Sequence, residues 1–393
     1  MPRTLLASLL ALTAVHWSAT AAEIRPVVPI DGEPFLGALT GARAQWQLTF
    51  RSGGIERRMA AGDLVRWGWF AQPGQGPILV LADGGLLAAD VLEADQQRLS
   101  ADSQLFGRVH VPLELLAGIV FRLPAEQGAR DALLDGEAAA SGESDRIVLV
   151  NGDSITGRFL GIDHDSVRME SAVGALDVPM YRASALVLHP LSHRRPAPQG
   201  VHAILGFGDG SRLLVERLVL DEKSLNVTLA GGPAWSTSPG NLVAIQPLGG
   251  RAVYLSDLKP VDYRHVPFLT LSWPYRADHS VTGARLRAGG HLYLKGLGVH
   301  SAARLTYALG GEYRRFQAEL AIDDQTCGHG SVRFRVFVDG RQQYLSPIVR
   351  GRSAPIPVSV DVSGAKRLDL LVDFADWADQ LDHADWLEAR LVK

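Results

Sequence analysis

The chain has 393 residues, of which 47% are hydrophobic and 21% charged, with a formal net charge of -3. That length allows two or more domains with cores of their own, and that balance excludes global disorder. A charge so near zero supplies no long-range attraction to a polyanion, so nucleic acid is not an expected partner.

The N-terminus reads as an export signal. Arg3 precedes the short apolar run LLASLLALTAV, Leu5 to Val15, and the small residues of ATAAE follow. This predicts a signal peptide over residues 1–22, cut after Ala21 or Ala22, and a periplasmic, cell-surface or secreted destination. The run is broken at His16 and Trp17, short of the roughly 20 apolar residues of a membrane span. Cys327 is the only cysteine, so no internal disulfide can form and the exported fold must rest on core burial.

Residues 23–145 form a first β region. AQWQLTF and LVRWGWF alternate as strands, and ILVLADGGLLAADVL reads as a hairpin turning at Asp83, Gly84 and Gly85. The phrase returns in RIVLVNGDSITGRFLGID around Asn151 and Gly152, and in VHAILGFGDGSRLLVERLVLD around Asp209 and Gly210. Three degenerate copies, with turn glycines at 84, 152 and 210, predict small antiparallel β units or barrels, two of them within residues 146–249. Between the first two copies, PAEQGARDALLDGEAAASGESD predicts a short helix near residues 124–136, opened by Pro124 and closed by Gly136. HPLSHRRPAPQG, residues 189–200, reads as a proline-rich connector.

From about Gly250 the composition shifts to aromatics and turn residues. In VRFRVFVDG, Val332, Phe334, Val336 and Val338 share one face while Arg333 and Arg335 take the other. Leu368, Leu370 and Val372 repeat the period, which predicts a two-layer β-sandwich.

The phrases KGLGVHSAARLTYALGGEYRRFQAELAIDD, GSVRFRVFVDG, VDVSGAKRLDLLV and DHADWLEARL together resemble the NPCBM, or NEW2, family of carbohydrate-binding modules over about residues 250–393. The matching positions include Gly296, Gly298, Val299, His300, Tyr307, Asp323, Asp324, His383, Asp385 and Trp386. The resemblance implies a galactose-binding-like jelly-roll β-sandwich, usually an accessory module for terminal sugars, in some members with a structural calcium. The upstream part more loosely resembles uncharacterised exported bacterial proteins of the planctomycete type. The expected fold class is mainly β throughout.

Enzyme motifs are missing from the sequence. No GxSxG elbow, HExxH helix or GxxxxGK loop occurs, and GFGDG reads as a hairpin turn. Cys327 and His329 lie two residues apart with no third group to orient them. Arg314 and Arg315 beside Tyr313 and Phe316 make only a short basic-aromatic stretch. Acid pairs such as Asp323 with Asp382 can be drawn for a glycosidase, yet residues 23–249 lack the strand-helix alternation of a catalytic barrel.

Sugar recognition needs aromatic faces and fixed polar groups, which Trp273, Tyr275, His279, His300, Arg304, His383 and Trp386 supply. Trp273 and Tyr275, flanking Pro274, suit a rim, whereas Trp386 starts a terminal strand and suits the core. A structural calcium would draw on Asp323, Asp324, Asp382 and Asp385, against the plainer reading of strand-capping acids. The sequence thus predicts an exported, non-catalytic protein that binds glycan or cell-surface polysaccharide. A structural protein binding another protein is the alternative, and a glycoside hydrolase built between domains the weaker one.

Overall fold

The structure, a computed structural model, describes residues 23–135, 144–163, 165–189 and 198–393. The expected signal peptide, the helix stop at Gly136 and most of the 189–200 connector lie outside the described residues.

Upstream of residue 250 the chain repeats one plan four times. In the first unit, strand Ile24–Pro29 leads to Phe35–Arg43, Gln47–Ser52 and Ile55–Ala60; a 3-10 turn, Ala61–Asp63, then feeds Leu64–Gly68, which returns to pair with the opening strand. The others close likewise: Leu116–Val120 pairs with Ile78–Leu81, Ala183–Val187 with Asp145–Leu149, and Leu242–Leu248 with His202–Phe207.

The three expected turns share one geometry. Gly84, Gly152 and Gly210 sit at φ +85°, +89° and +87°. Each amide donates at 3.0 Å to the carbonyl three residues back, at Leu81, Leu149 and Phe207. The preceding Asp83, Asn151 and Asp209 each accept from the amide two residues on, so the side chain holds the turn that glycine permits. The sequence count of three copies is one short. In the first unit the opening connection is longer, running through Asp31 and Gly32 to Pro34, and does not read as the same phrase.

Closing strands also pair between units, Leu116–Val120 with Ala183–Val187 and Leu242–Leu248 with Leu64–Gly68. The four units thereby merge into one network of 21 strands around a shared apolar core. The expected helix is α1, Gln127–Leu134, and Pro124 does not open it. Glu126 does, its carboxylate accepting from the amides of Gly128 and Ala129 at 2.8 and 2.6 Å, while the Pro124 carbonyl takes the Arg130 guanidinium.

Residues 251–393 form two facing antiparallel sheets. One runs Arg276–Ala277, Gly296–His300, His383–Val392, Arg315–Ile322, Ile356–Asp361; the other runs Asp262–His265, Ala303–Ala308, Arg367–Phe374, Ser331–Val338, Arg341–Leu345. Val332, Phe334, Val336, Leu368, Leu370 and Val372 point into the shared core. Trp386 is fully buried there, with Phe334 edge-on at 4.9 Å and Phe316 at 6.0 Å. Every residue of His383–Val392 is buried, because its second face is covered by the upstream body.

Glycine substitution separates the repeated turns. A Cβ on Gly84 or Gly152 meets nothing within 4 Å, whereas on Gly210 it meets Pro73 backbone at 2.3 Å. Gly84→Ala and Gly152→Ala are each expected to cost about 1–2 kcal/mol from the left-handed φ alone. Gly210→Ala is expected to cost measurably more in urea unfolding; three equal costs would contradict this packing.

Candidate functional site

One end of the sandwich gathers an aromatic and imidazole cluster. Strand Asp262–His265 delivers Tyr263 and His265 on one face by its two-residue period. His300 and His383 face each other as cross-strand partners where two inner strands of the other sheet meet the loop end. The Trp273 ring lies parallel to His300 at 5.1 Å and 4°, and 5.9 Å from His383; the two imidazoles are 5.8 Å apart.

Trp273 is fixed through its own backbone. Its amide donates to His265 Nδ1 at 3.2 Å, and its carbonyl accepts from the Tyr263 hydroxyl at 2.6 Å. His265 therefore carries its proton on Nε2, which donates to the Ser301 carbonyl at 3.0 Å. The same carbonyl takes His300 Nδ1 at 2.8 Å, leaving His300 Nε2 as an acceptor. Burial lowers the His300 pKa and holds His383 down at about 4, with His300 adding to the second shift. His383 Nδ1 is buried without a hydrogen-bond partner among the described residues.

Apolar side chains border this cluster. Leu269 is 80% exposed and Trp377 86% exposed, with Phe268, Leu271 and Phe374 also open to solvent. Trp377, Ala378 and Leu381 all have positive φ, +65°, +57° and +54°, a strained loop held beside Asp382. Asp382 accepts from Ser301 Oγ at 2.6 Å and from the Ser331 amide at 2.8 Å, and burial pushes its carboxyl up to about 6.

Of the seven sugar candidates, the structure brings Trp273, His300 and His383 together. Tyr275 packs against Tyr263 at 5.1 Å, beside the cluster. Arg304 is drawn aside to Asp262 at 2.9 Å, and Trp386 is a core residue. His279 lies at the junction with the upstream body, its Nε2 2.7 Å from Asp135 on the turn closing α1. Tyr263 and His265, which hold Trp273, escaped the sequence reading although their alternation in DYRH carries the signal.

The four acids proposed for calcium are not gathered around one point. Asp323 accepts from the Arg287 and Gln325 amides, Asp324 from the Gly289 and Gly290 amides, and Asp382 turns to Ser301 and Ser331. Asp385 is fully buried, its carboxyl raised well above the usual range by burial and by Asp323 beside it, and neither of its oxygens has a hydrogen-bond partner among the described residues. No group of three or more metal-binding side chains occurs among the described residues. Three of the four acids thus hold backbone-amide or hydroxyl donors.

A model of the NPCBM/NEW2 domain matches residues 251–392. Those residues are an NPCBM/NEW2 domain. Among curated relatives, a putative endo-alpha-N-acetylgalactosaminidase of Renibacterium salmoninarum is 34% identical over 110 residues, 28% of this chain. Alpha-1,3-galactosidase B of Akkermansia muciniphila is 32% identical over 117 residues, 29% of this chain. The matches cover only 7% and 15% of those two relatives. Among solved structures, CBM51 from Clostridium perfringens GH95 in complex with methyl-galactose has 25% identity and a TM-score of 0.33, over 36% of this chain and 99% of that one. The tandem CBM51 modules of Sp3GH98 from Streptococcus pneumoniae have 12% identity and a TM-score of 0.32, over 67% and 91%.

The NPCBM loop end makes a signed prediction about pH. Between about pH 4 and 6, folded Asp382 keeps a proton that the unfolded chain releases, so its share of stability falls as pH rises. His383 has the opposite sign: below 6.5 the unfolded imidazole is charged while the folded one stays neutral down to about 4, so its share rises with pH. Asp382→Asn is expected to steepen the rise in unfolding midpoint from pH 4 to 6, and His383→Gln to flatten it. Equal slopes in guanidinium titrations of both variants would refute the assignment.

Proposed function

We propose that this chain is an exported, non-catalytic glycan-binding protein whose NPCBM domain takes a sugar residue at the Trp273 end. The observation that carries the reading is the fixing of Trp273 through both its amide and its carbonyl while its ring lies flat on His300. An aromatic plane held this way offers C–H surfaces a preorganised partner at little entropic cost. His300 Nε2, in a neutral ring, supplies an uncommitted polar atom for a hydroxyl. The names of the two curated relatives point to sugars of galactose configuration as the first ligands to test.

The upstream body supports a presenting role. It is a repeated β network with the single helix α1, in which closing strands of one unit pair with those of another, a base for the module. A protein partner is the second reading, favoured by the exposed apolar edge of Leu269, Leu271 and Trp377.

A glycan array on the purified protein, run with calcium and with chelator, tests the proposal. Trp273→Ala is expected to weaken binding to the retained glycans at least tenfold, about 1.4 kcal/mol, and Tyr263→Phe to weaken it severalfold by releasing the Trp273 carbonyl. Absence of binding across a broad galactose-rich panel would overturn the sugar reading. A glycan signal unchanged in Trp273→Ala but lost in Leu269→Ser/Leu271→Ser would move the site to the apolar edge.

A further inference from the structure

A second feature lies far from Trp273 in purpose, at the junction between the repeated body and the NPCBM domain. A cavity of about 270 Å³ opens there, walled by Arg212, His202 and Asp83 from the body and by Arg285, Lys295 and Asp278 from the domain. Ile204 and Leu294 add aliphatic surface.

Arg212 is the unsettled member. It opens strand Arg212–Leu220 directly after the Asp209–Gly210 turn and is only 5% exposed. Its guanidinium feels the charges of Asp135 and Asp131 but makes no hydrogen bond or close ion pair with either, because both carboxylates are engaged by other groups. Asp131 receives Arg287 Nη1 and Nη2 at 2.6 and 2.8 Å and the Arg285 amide at 3.0 Å. Asp135 is held by the Arg285 guanidinium and by His279 Nε2. Lys295 is bound by Asp257 and Asp278, and Asp83 accepts from the Gly85 amide. Three guanidiniums therefore share two carboxylates, and the one left over borders the cavity.

A buried cation without a partner is costly, and the cost is removed when an anion enters. We propose that this cavity binds a small organic carboxylate, whose oxygens pair with the Arg212 fork and whose body lies against Ile204 and Leu294. A planar guanidinium matches a carboxylate with two parallel hydrogen bonds. The volume, equal to about nine waters at ~30 Å³ each, admits a ligand of the size of one hexuronic acid ring. Because body and domain both line the cavity, the ligand ties one to the other. This site is independent of the Trp273 reading and stands or falls separately.

The test is ligand-dependent thermal unfolding of the whole protein, with isothermal titration calorimetry, at constant ionic strength set by sodium chloride. The probes are galacturonate and glucuronate, neutral galactose as control, and sulfate and phosphate as anions lacking the organic body. A saturable rise in melting temperature of about 2 °C or more with a uronate, absent with galactose and abolished in Arg212→Gln, is the expected result. Arg212→Lys, which keeps the charge without the fork, is expected to weaken uronate binding at least tenfold and serves if the Gln variant does not fold. Trp273→Ala, which loses glycan binding, is expected to keep the uronate response. No response of the wild-type protein to either uronate, a response to sulfate or phosphate alone, or one undiminished in both Arg212 variants would overturn the proposal, leaving Arg212 as a cation solvated by cavity water.

Discussion

The architecture depends on one strand having to be buried on both faces. His383–Val392 lies in the middle of its sheet, and its inward residues are Ala384, Trp386, Ala389 and Leu391. The three-residue step from Trp386 to Ala389 breaks a two-residue period, and a bulge supplies the extra residue: Glu388 has φ +47°, and the pairing register shifts opposite Gln317 and Glu319. The bulge aims Glu388 outward beneath Arg66, whose Nε reaches it at 3.0 Å while Nη2 reaches Glu319 at 3.2 Å. Arg66 also lies 3.5 Å over the Trp69 ring, which stacks on His291 at 3.9 Å. Such a buried ion pair adds little net stability, since desolvation offsets the attraction. Its effect is on placement: a shifted docking would leave Arg66 or Glu388 charged and unpaired in an apolar seam.

That docking explains which end of the domain remains available. Body contacts occupy the outer face of the sheet containing His383–Val392 and the hairpin at residues 285–295, through Arg66, Asp31, Asp131 and Asp135. Trp273 and Trp377 belong to loops where the strands end, so covering one face leaves the loop end open to solvent. The acids that look like a chemical cluster in LDHADWLEARL divide by the same geometry. Asp382 ties two loops through Ser301 and Ser331, while Asp385, three residues on, is fully buried beside Asp323.

Much of the fold was legible because periodicity and turn chemistry are local. The two-residue alternation of VRFRVFV and RLDLLV corresponds to the observed sandwich core, and the three acid- or amide-glycine turns occur with one shared φ. The first unit was missed because its Pro34-containing connection alters the phrase without altering the strand order. The helix position was nearly right for the wrong reason, since a capping carboxylate at Glu126 does what Pro124 was expected to do.

The candidate site was less legible, because its defining contacts are between residues distant in sequence. Trp273 and the pair His300 and His383 were recognisable as residue types, yet nothing local shows that Tyr263 and His265 hold the Trp273 backbone. His279 misled for the converse reason. A histidine among turn residues resembles a ligand reader, but its partner Asp135 lies 144 positions upstream, where only the folded chain brings α1 against the domain. The same long-range meeting leaves Arg212 facing a cavity with its natural partners already taken. Sequence proximity ranks residues by chemistry, whereas a binding role depends on which reachable polar atoms remain uncommitted after folding, among them His300 Nε2 at the loop end and the Arg212 guanidinium at the junction.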